Sequence, residues 1–212
     1  MNLWTAAEAA AATGGNATTD WTVSGVSIDT RTLQPGDLFV ALTDQRDGHD
    51  FVEAAFAAGA AGALVSRQVG QGPQLVVDDV QEALEQMGVA ARVRCGAHRT
   101  AVTGSAGKTS VKEMLAQIYR AFGPAHWNVK SFNNHWGVPL TLARMPEDTT
   151  RAVFEIGMST PGEIAPRSQM VRPHTGIVTC IAGAHLEGLG SLSAVAHEKA
   201  DIFTGMEAGG TF

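Results

Sequence analysis

Val102–Ser110 reads VTGSAGKTS, and the fold of the whole chain follows from that stretch. Arg99 to Val102 reads as a short strand and Val111 onward as a helix, so a glycine-rich turn joins strand to helix. Gly104 and Gly107 allow backbone geometry that a side chain would block. Successive N–H groups then point into one cavity at a helix N-terminus, where the dipole also favours an anion. Lys108 adds a positive charge for terminal phosphates, and the Thr109 hydroxyl is suited to a magnesium ion. The general phosphate-loop pattern places a glycine five positions before Gly107, but that position is Val102, so the loop is the shorter T-G-x-x-G-K-T form. The helix after it carries Val111, Met114, Leu115, Ile118 and Phe122, expected to make one buried apolar stripe.

A chain of 212 residues suffices for one large or two smaller domains, and 44% hydrophobic with 17% charged residues is an ordinary globular composition. A formal net charge of −6 argues against nucleic-acid or anionic-membrane binding, which needs a basic face. Cys95 and Cys180 are far apart and are expected to be reduced thiols of a cytoplasmic protein. The N-terminus lacks a charged segment followed by an apolar core, and no apolar run approaches membrane-spanning length, so no leader and no membrane insertion are expected.

Residues 1–88 read as a first α/β unit. Thr5 and Glu8 have capping-box spacing, and the alanine-rich helix they open is stopped by Gly14-Gly15. Val23, Val26 and Ile28 suggest one strand, and Leu38 to Leu42 a buried one. Asp50, with Glu53 three positions on, is the expected cap of a second helix running to Gly59. Ala63 to Ser66 and Leu75 to Val77 read as strands, and Asp79 with Glu82 starts another helix. Residues 89–99 are the expected join. From there to 212 the reading is strand, phosphate loop, helix, strand 126–129, helix 138–144, strand 152–156, a short helical piece after Pro161-Gly162-Glu163, strand 175–182 and a last helix 193–205. This alternation predicts an α/β fold with a mostly parallel, doubly wound sheet.

In such sheets ligands sit beyond the carboxyl ends of the strands. The phosphate loop, Glu155, and His185 with Glu187 all fall there. A strand-end glutamate alone is equally a solvated side chain, and a lone histidine is more often structural; their joint placement suggests magnesium beside nucleotide phosphates. Lys199 falls among Leu192, Val195, Ile202 and Met206 on one stripe of the last helix. The pattern leaves two readings. Its stem is buried while the ammonium reaches water, or a desolvated, neutral amine takes up carbon dioxide and becomes a metal-binding carbamate.

TGSAGKTSVKEM (103–114), SFNNHWGVPLTL (131–142), EIGMSTPGEIA (155–165) and AHLEGLGSLSAVAHEKADIF (184–203), in that order, resemble the Mur ligases. DTRTLQPGDLFVAL (29–42) and DGHDFVEAAFAAGAAGAL (47–64) are similar to the family's UDP-binding domain. The resemblance implies an N-terminal UDP-muramoyl-peptide-binding domain over 1–88 and a central ATP-binding domain over 89–212. It implies an ATP-dependent amide ligase of peptidoglycan precursor synthesis, with UDP-N-acetylmuramoyl-tripeptide and D-alanyl-D-alanine as the partners to be joined. Thr103, Gly104, Ser105, Ala106, Gly107, Lys108, Thr109 and Ser110 would then surround ATP, with Asn133 and Asn134 near the terminal phosphate. Thr109 and Glu155 would hold one Mg2+, and His185 with carbamylated Lys199 a second. Lys108 and Lys199 would be catalytic, and Thr30, Arg31 and Ser159 would meet the UDP-linked substrate. Family members continue past the equivalent of Phe212 into a C-terminal domain, so the 212 residues alone are expected not to ligate; the full-length form is expected to be monomeric. A sister Mur or folylpolyglutamate-type ligase and a non-catalytic nucleotide-binding module are the alternatives.

Overall fold

The computed structural model describes residues 2–183 and 191–212, and packing divides the chain into two units, Met1–Ala90 and Ala91–Phe212. In the first, β1 (Trp4–Thr5) pairs antiparallel with β3 (Thr22–Val23). Helix α1 (Ala6–Thr13) starts in the capping box read from the sequence: Glu8 N–H donates to the Thr5 hydroxyl at 3.2 Å, and Thr5 N–H donates to Glu8 Oε2 at 2.8 Å. Gly14 closes it in the left-handed region, at φ 66°. The main sheet has the order β2 (Asn16–Ala17), β7 (Gln74–Val76), β6 (Gly62–Val65), β5 (Asp37–Val40), β4 (Gly25–Ser27), all parallel except the β2 edge. The core over it is Leu33, Phe39, Ala41, Val52, Ala55, Ala63 and Val65.

Two expectations for this unit change. The single strand through Val23, Val26 and Ile28 is two strands in different sheets, β3 and β4. Gly25 lies so near β5 that a Cβ there would come 2.2 Å from Asp37 Oδ1. Asp50 does not cap the second helix. Asp47 does the capping, its Oδ1 accepting from His49 N–H at 3.0 Å, and it opens a 3₁₀ turn, Gly48–Phe51, that leads into α2 (Val52–Ala57). The earlier cap prevails because Gly48 is pressed onto the chain before it, where a Cβ would lie 2.3 Å from Leu42 O. Helix α3 (Val80–Arg94) runs through much of the expected join, so the passage between units is helical as far as Arg94.

In the second unit β11 (Thr175–Val178), β8 (His98–Thr103), β10 (Arg151–Glu155) and β9 (Ala125–Trp127) form one parallel sheet in that order. Strand alternation divides its side chains between two layers. Ala101, Ala152 and Phe154 face α5 (Gly137–Ala143) and α6 (Ile164–Val171) through Val138, Leu142, Ile164 and Val171. Val102 and Val153 face α4 (Lys108–Phe122) through Val111, Leu115, Ala116 and Tyr119. Helices on both faces make it the doubly wound sheet that the alternation predicts.

Within this unit the expected α4 stripe is only half right. Val111 and Leu115 pack on the sheet, but Met114, Ile118 and Phe122 are 60%, 52% and 69% exposed, and the fully buried positions are Lys112 and Ala116. The i, i+4 series through 112 and 116 meets the sheet, and the series through 114, 118 and 122 is turned away from it. Strand β11 stops at Val178, not 182, because the chain from Thr179 turns its polar groups onto the phosphate loop. The last helix is α7 (Leu192–Ala200) followed by a 3₁₀ turn, Asp201–Gly205. Leu192 is 52% exposed, so the buried stripe begins at Val195.

Candidate active site

Thr103, Glu155 and Val178 end three adjacent parallel strands on the same side of the sheet, and the loop 103–108 lies there. Gly107 caps α4 at φ 79° with no side-chain acceptor for the first N–H groups of the helix. Those donors and the helix dipole are thereby left for an anion. Gly104 is at φ 149°, and a Cβ there would fall 1.9 Å from Thr179 Oγ1. The loop is tied from behind: Ser105 N–H donates to Cys180 O at 2.9 Å, the Ser105 hydroxyl to Ala182 O at 3.0 Å, and the Thr179 hydroxyl to Ala106 O and Thr103 O. The Thr103 hydroxyl is buried with no partner among the described residues, and Ser110 is exposed on the first turn of α4. Lys108 folds back over the loop, its Nζ donating to Gly104 O at 2.8 Å.

Beside the loop, Glu155 is 1% exposed and carries a hydrogen bond on each carboxylate oxygen. The Thr109 hydroxyl donates to Oε2 at 2.9 Å and Asn133 Nδ2 to Oε1 at 2.6 Å. One carboxylate and one hydroxyl at a helix N-terminus are the hard oxygen donors that magnesium takes when phosphates complete its shell. Asn134, paired with Asn133 in the sequence reading, makes different contacts. Its Oδ1 accepts from Gly137 N–H at 2.9 Å and Trp136 N–H at 3.3 Å, holding the start of α5.

Lys199 is 2% exposed, and its ammonium makes no side-chain hydrogen bond or ion pair among the described residues. Burial, then the positive charge of Lys108, lowers its pKa from the ordinary lysine value. Its neighbour Glu198 faces α6, accepting from Gly162 N–H at 2.7 Å. His185 and Glu187 lie outside the described residues. Ser159 is exposed, its N–H donating to Glu163 Oε2 at 2.7 Å. Burial opposes ionisation of Glu163, but the Ser159 N–H and the Arg167 guanidinium outweigh it and bring the carboxyl down to about 2. In the first unit, Thr30 is half-buried and Arg31 forks onto Asp29, with Nη2 2.6 Å from Oδ2, leaving the guanidinium at the surface.

Sequence reasoning passed over Asn128 and Lys112. Asn128 is buried, its Oδ1 accepting from Glu155 N–H at 2.6 Å, and Lys112 is fully buried on α4. For Asn128 nothing in the local pattern signals this. For Lys112 the signal was a charged residue on the helix face continued by Ala116, the same clue that singled out Lys199.

Residues 102–212 match the family model described as Mur ligase middle domain, and residues 22–77 match that described as Mur ligase family, catalytic domain. The chain is similar to the UDP-N-acetylmuramoyl-tripeptide--D-alanyl-D-alanine ligases of Escherichia coli K12, 44% identical over 193 residues, and of Bacillus subtilis 168, 40% identical over 193 residues. These alignments cover 90% and 89% of this chain but 43% and 42% of those proteins, so the chain spans less than half their length. A crystal structure of MurF from Acinetobacter baumannii superposes with a TM-score of 0.86 at 33% identity, covering 98% of this chain and 47% of that one. The MurF ligase from Thermotoga maritima in complex with ADP gives a TM-score of 0.73 at 25% identity, over 86% of this chain and 43% of that one. Since the middle-domain model alone accounts for more than half of the residues, and the phosphate loop sits where it begins, this chain belongs to the Mur ligase family.

Proposed function

We propose that the chain supplies the UDP-muramoyl-peptide-binding and ATP-binding parts of a cytoplasmic, monomeric ligase that joins D-alanyl-D-alanine to UDP-N-acetylmuramoyl-tripeptide in peptidoglycan precursor synthesis. The observation that carries this reading is the meeting of Thr109, Asn133 and Glu155 beside the phosphate loop. Residues 1–88 are assigned to the UDP-linked substrate, with Thr30 and Arg31 among the contacts, and 89–212 to ATP, with Ser159 toward the peptide.

In the proposed reaction the terminal carboxylate of the tripeptide attacks the γ-phosphorus of ATP, giving an acyl phosphate and ADP. The amine of D-alanyl-D-alanine then attacks the acyl carbon, and inorganic phosphate leaves. Lys108 leaves Gly104 O for the phosphates, and the backbone N–H groups of 104–109 hold them. Magnesium, held by Thr109 and Glu155, would supply charge neutralisation for the transferred phosphoryl group. Asn133 orients Glu155. Lys199 is assigned as a carbamate: its neutral amine adds to carbon dioxide and releases a proton, which turns a buried cation into an anion fit, with His185, for a second magnesium ion.

Calorimetry on the 212-residue chain tests this. Separate, saturable binding of Mg-ATP and of UDP-N-acetylmuramoyl-tripeptide is expected, and Lys108→Ala should remove the first alone. Absence of ATP binding, or an unchanged ATP affinity in Lys108→Ala, would refute the assignment.

A further inference from the structure

Lys112 points into the protein and is 0% exposed, in a position where an unpaired ammonium would be very costly. All three of its protons have acceptors. Nζ donates to Asn128 O at 2.9 Å, to Lys130 O at 2.7 Å and to Glu113 Oε1 at 2.6 Å. Two of these are main-chain carbonyls in the loop between β9 and α5.

That loop wraps Glu155. Asn128 Oδ1 accepts from Glu155 N–H at 2.6 Å, and Asn128 Nδ2 donates to Glu155 O at 3.3 Å. Five residues on, Asn133 donates to the Glu155 carboxylate at 2.6 Å and accepts from Gly157 N–H at 2.9 Å. Between the two, Lys130 is in the left-handed region at φ 54°, which a non-glycine residue adopts only when its surroundings impose it. Helix α4 therefore reaches Glu155 twice. The Thr109 hydroxyl does so directly, and Lys112, three residues along the helix, does so by fixing the loop that brings Asn133 to the other carboxylate oxygen.

We propose that Lys112 is a positioning residue for the cation–nucleotide site, holding the 128–133 loop so that Glu155 presents its carboxylate to a divalent cation at Thr109. The proposal rests on the phosphate-loop reading above. It also assigns the lysine a role beyond packing: without its donors the 128–130 part of the loop loses two anchors, and Asn133, left with its bonds to Gly157 N–H and Glu155, orients the carboxylate less firmly.

The test uses the 212-residue chain with Mn2+ as the probe, followed by electron paramagnetic resonance with and without ATP, and ATP binding measured without metal. Lys112→Met keeps the stem and removes the donors. It is expected to weaken Mn2+ in the ATP complex by about tenfold and broaden its spectrum, while metal-free ATP affinity stays within about twofold. Lys112→Gln, whose amide still donates to a carbonyl, should regain part of the loss; should Lys112→Met fail to fold, Lys112→Gln is judged against wild type on the same two measurements. A folded variant with a lower unfolding midpoint but wild-type Mn2+ affinity and spectrum would overturn the proposal, reducing Lys112 to a packing residue. Lys108→Ala separates the two levels: if it binds ATP as wild type does, or wild type does not bind ATP, the phosphate-loop reading fails and takes the Lys112 proposal with it.

Discussion

Lowering the pH should destabilise the second unit in part through the imidazole of His126 on β9. Its Nε2–H donates to Thr141 O at 2.7 Å, and the ring lies 6.4 Å from that of Phe154 between centroids. Burial, with the nearby Arg144 charge adding to it and outweighing the Thr141 bond, lowers its pKa to about 4, from an ordinary 6.5. The folded state therefore keeps His126 neutral where the unfolded chain binds a proton. The His126 contribution to stability is full above about pH 6.5, falls as pH drops, and is lost completely below about pH 4. A difference of roughly 2.5 units at about 1.4 kcal/mol each sets an upper figure of about 3.5 kcal/mol, reduced somewhat because His126 is partly open to solvent. Urea unfolding of wild type and His126→Gln between pH 7.5 and pH 4 isolates the effect, since every other titrating group is shared. The glutamine keeps a donor for Thr141 but takes up no proton, so the wild-type curve should fall away from the variant's over that range. Two curves that stay parallel would refute the reasoning, because an imidazole protonating alike in both states adds no slope.

Gly104→Ala should lose Mg-ATP binding by more than about tenfold, since any Cβ meets the Thr179 hydroxyl at 1.9 Å; calorimetry beside wild type reads it. With the Lys199 pKa lowered, the folded state sheds its proton first, so unfolding stability should rise with pH from the folded value up to the ordinary 10.5, and Lys199→Met should lack that rise. Carbon-13 bicarbonate should give a carbamate resonance in wild type that Lys199→Met and Lys199→Arg do not show. Thr5→Ala removes the α1 capping box and should cost the first unit about 1 kcal/mol in denaturant unfolding, with no effect on ATP affinity.

The phosphate loop was legible because its chemistry is local: two glycines, a lysine and a threonine in nine residues, between a strand and a helix. Glu155 and Lys199 were legible as positions, since a strand end and a stripe place a residue without knowledge of its neighbours. What a short window cannot hold is contact between distant segments. The hydrogen bonds of Asn128 to Glu155 cross 27 residues, and those of Lys112 to the 128–130 carbonyls cross 16 and 18. The α4 stripe failed similarly, since periodicity shows that a helix has faces but not which one a sheet will meet. Asp47 displaced Asp50 as a cap because Gly48 closes on Leu42, a contact that propensity does not register.

The packing of Gly104 against Thr179 also bears on how such a sequence can drift. Position 104 is closed to every residue with a Cβ, whatever happens elsewhere, because both its φ and the space beside it exclude one. Position 179 has more latitude: its side chain must be small and must donate to the carbonyls of Thr103 and Ala106. Serine meets that requirement. Valine, equal in shape, leaves Ala106 O without the side-chain hydroxyl that pairs it and fills the same space with a methyl group. Substitutions at the end of a strand 75 residues away in sequence are thus filtered by the geometry of a phosphate loop they never enter.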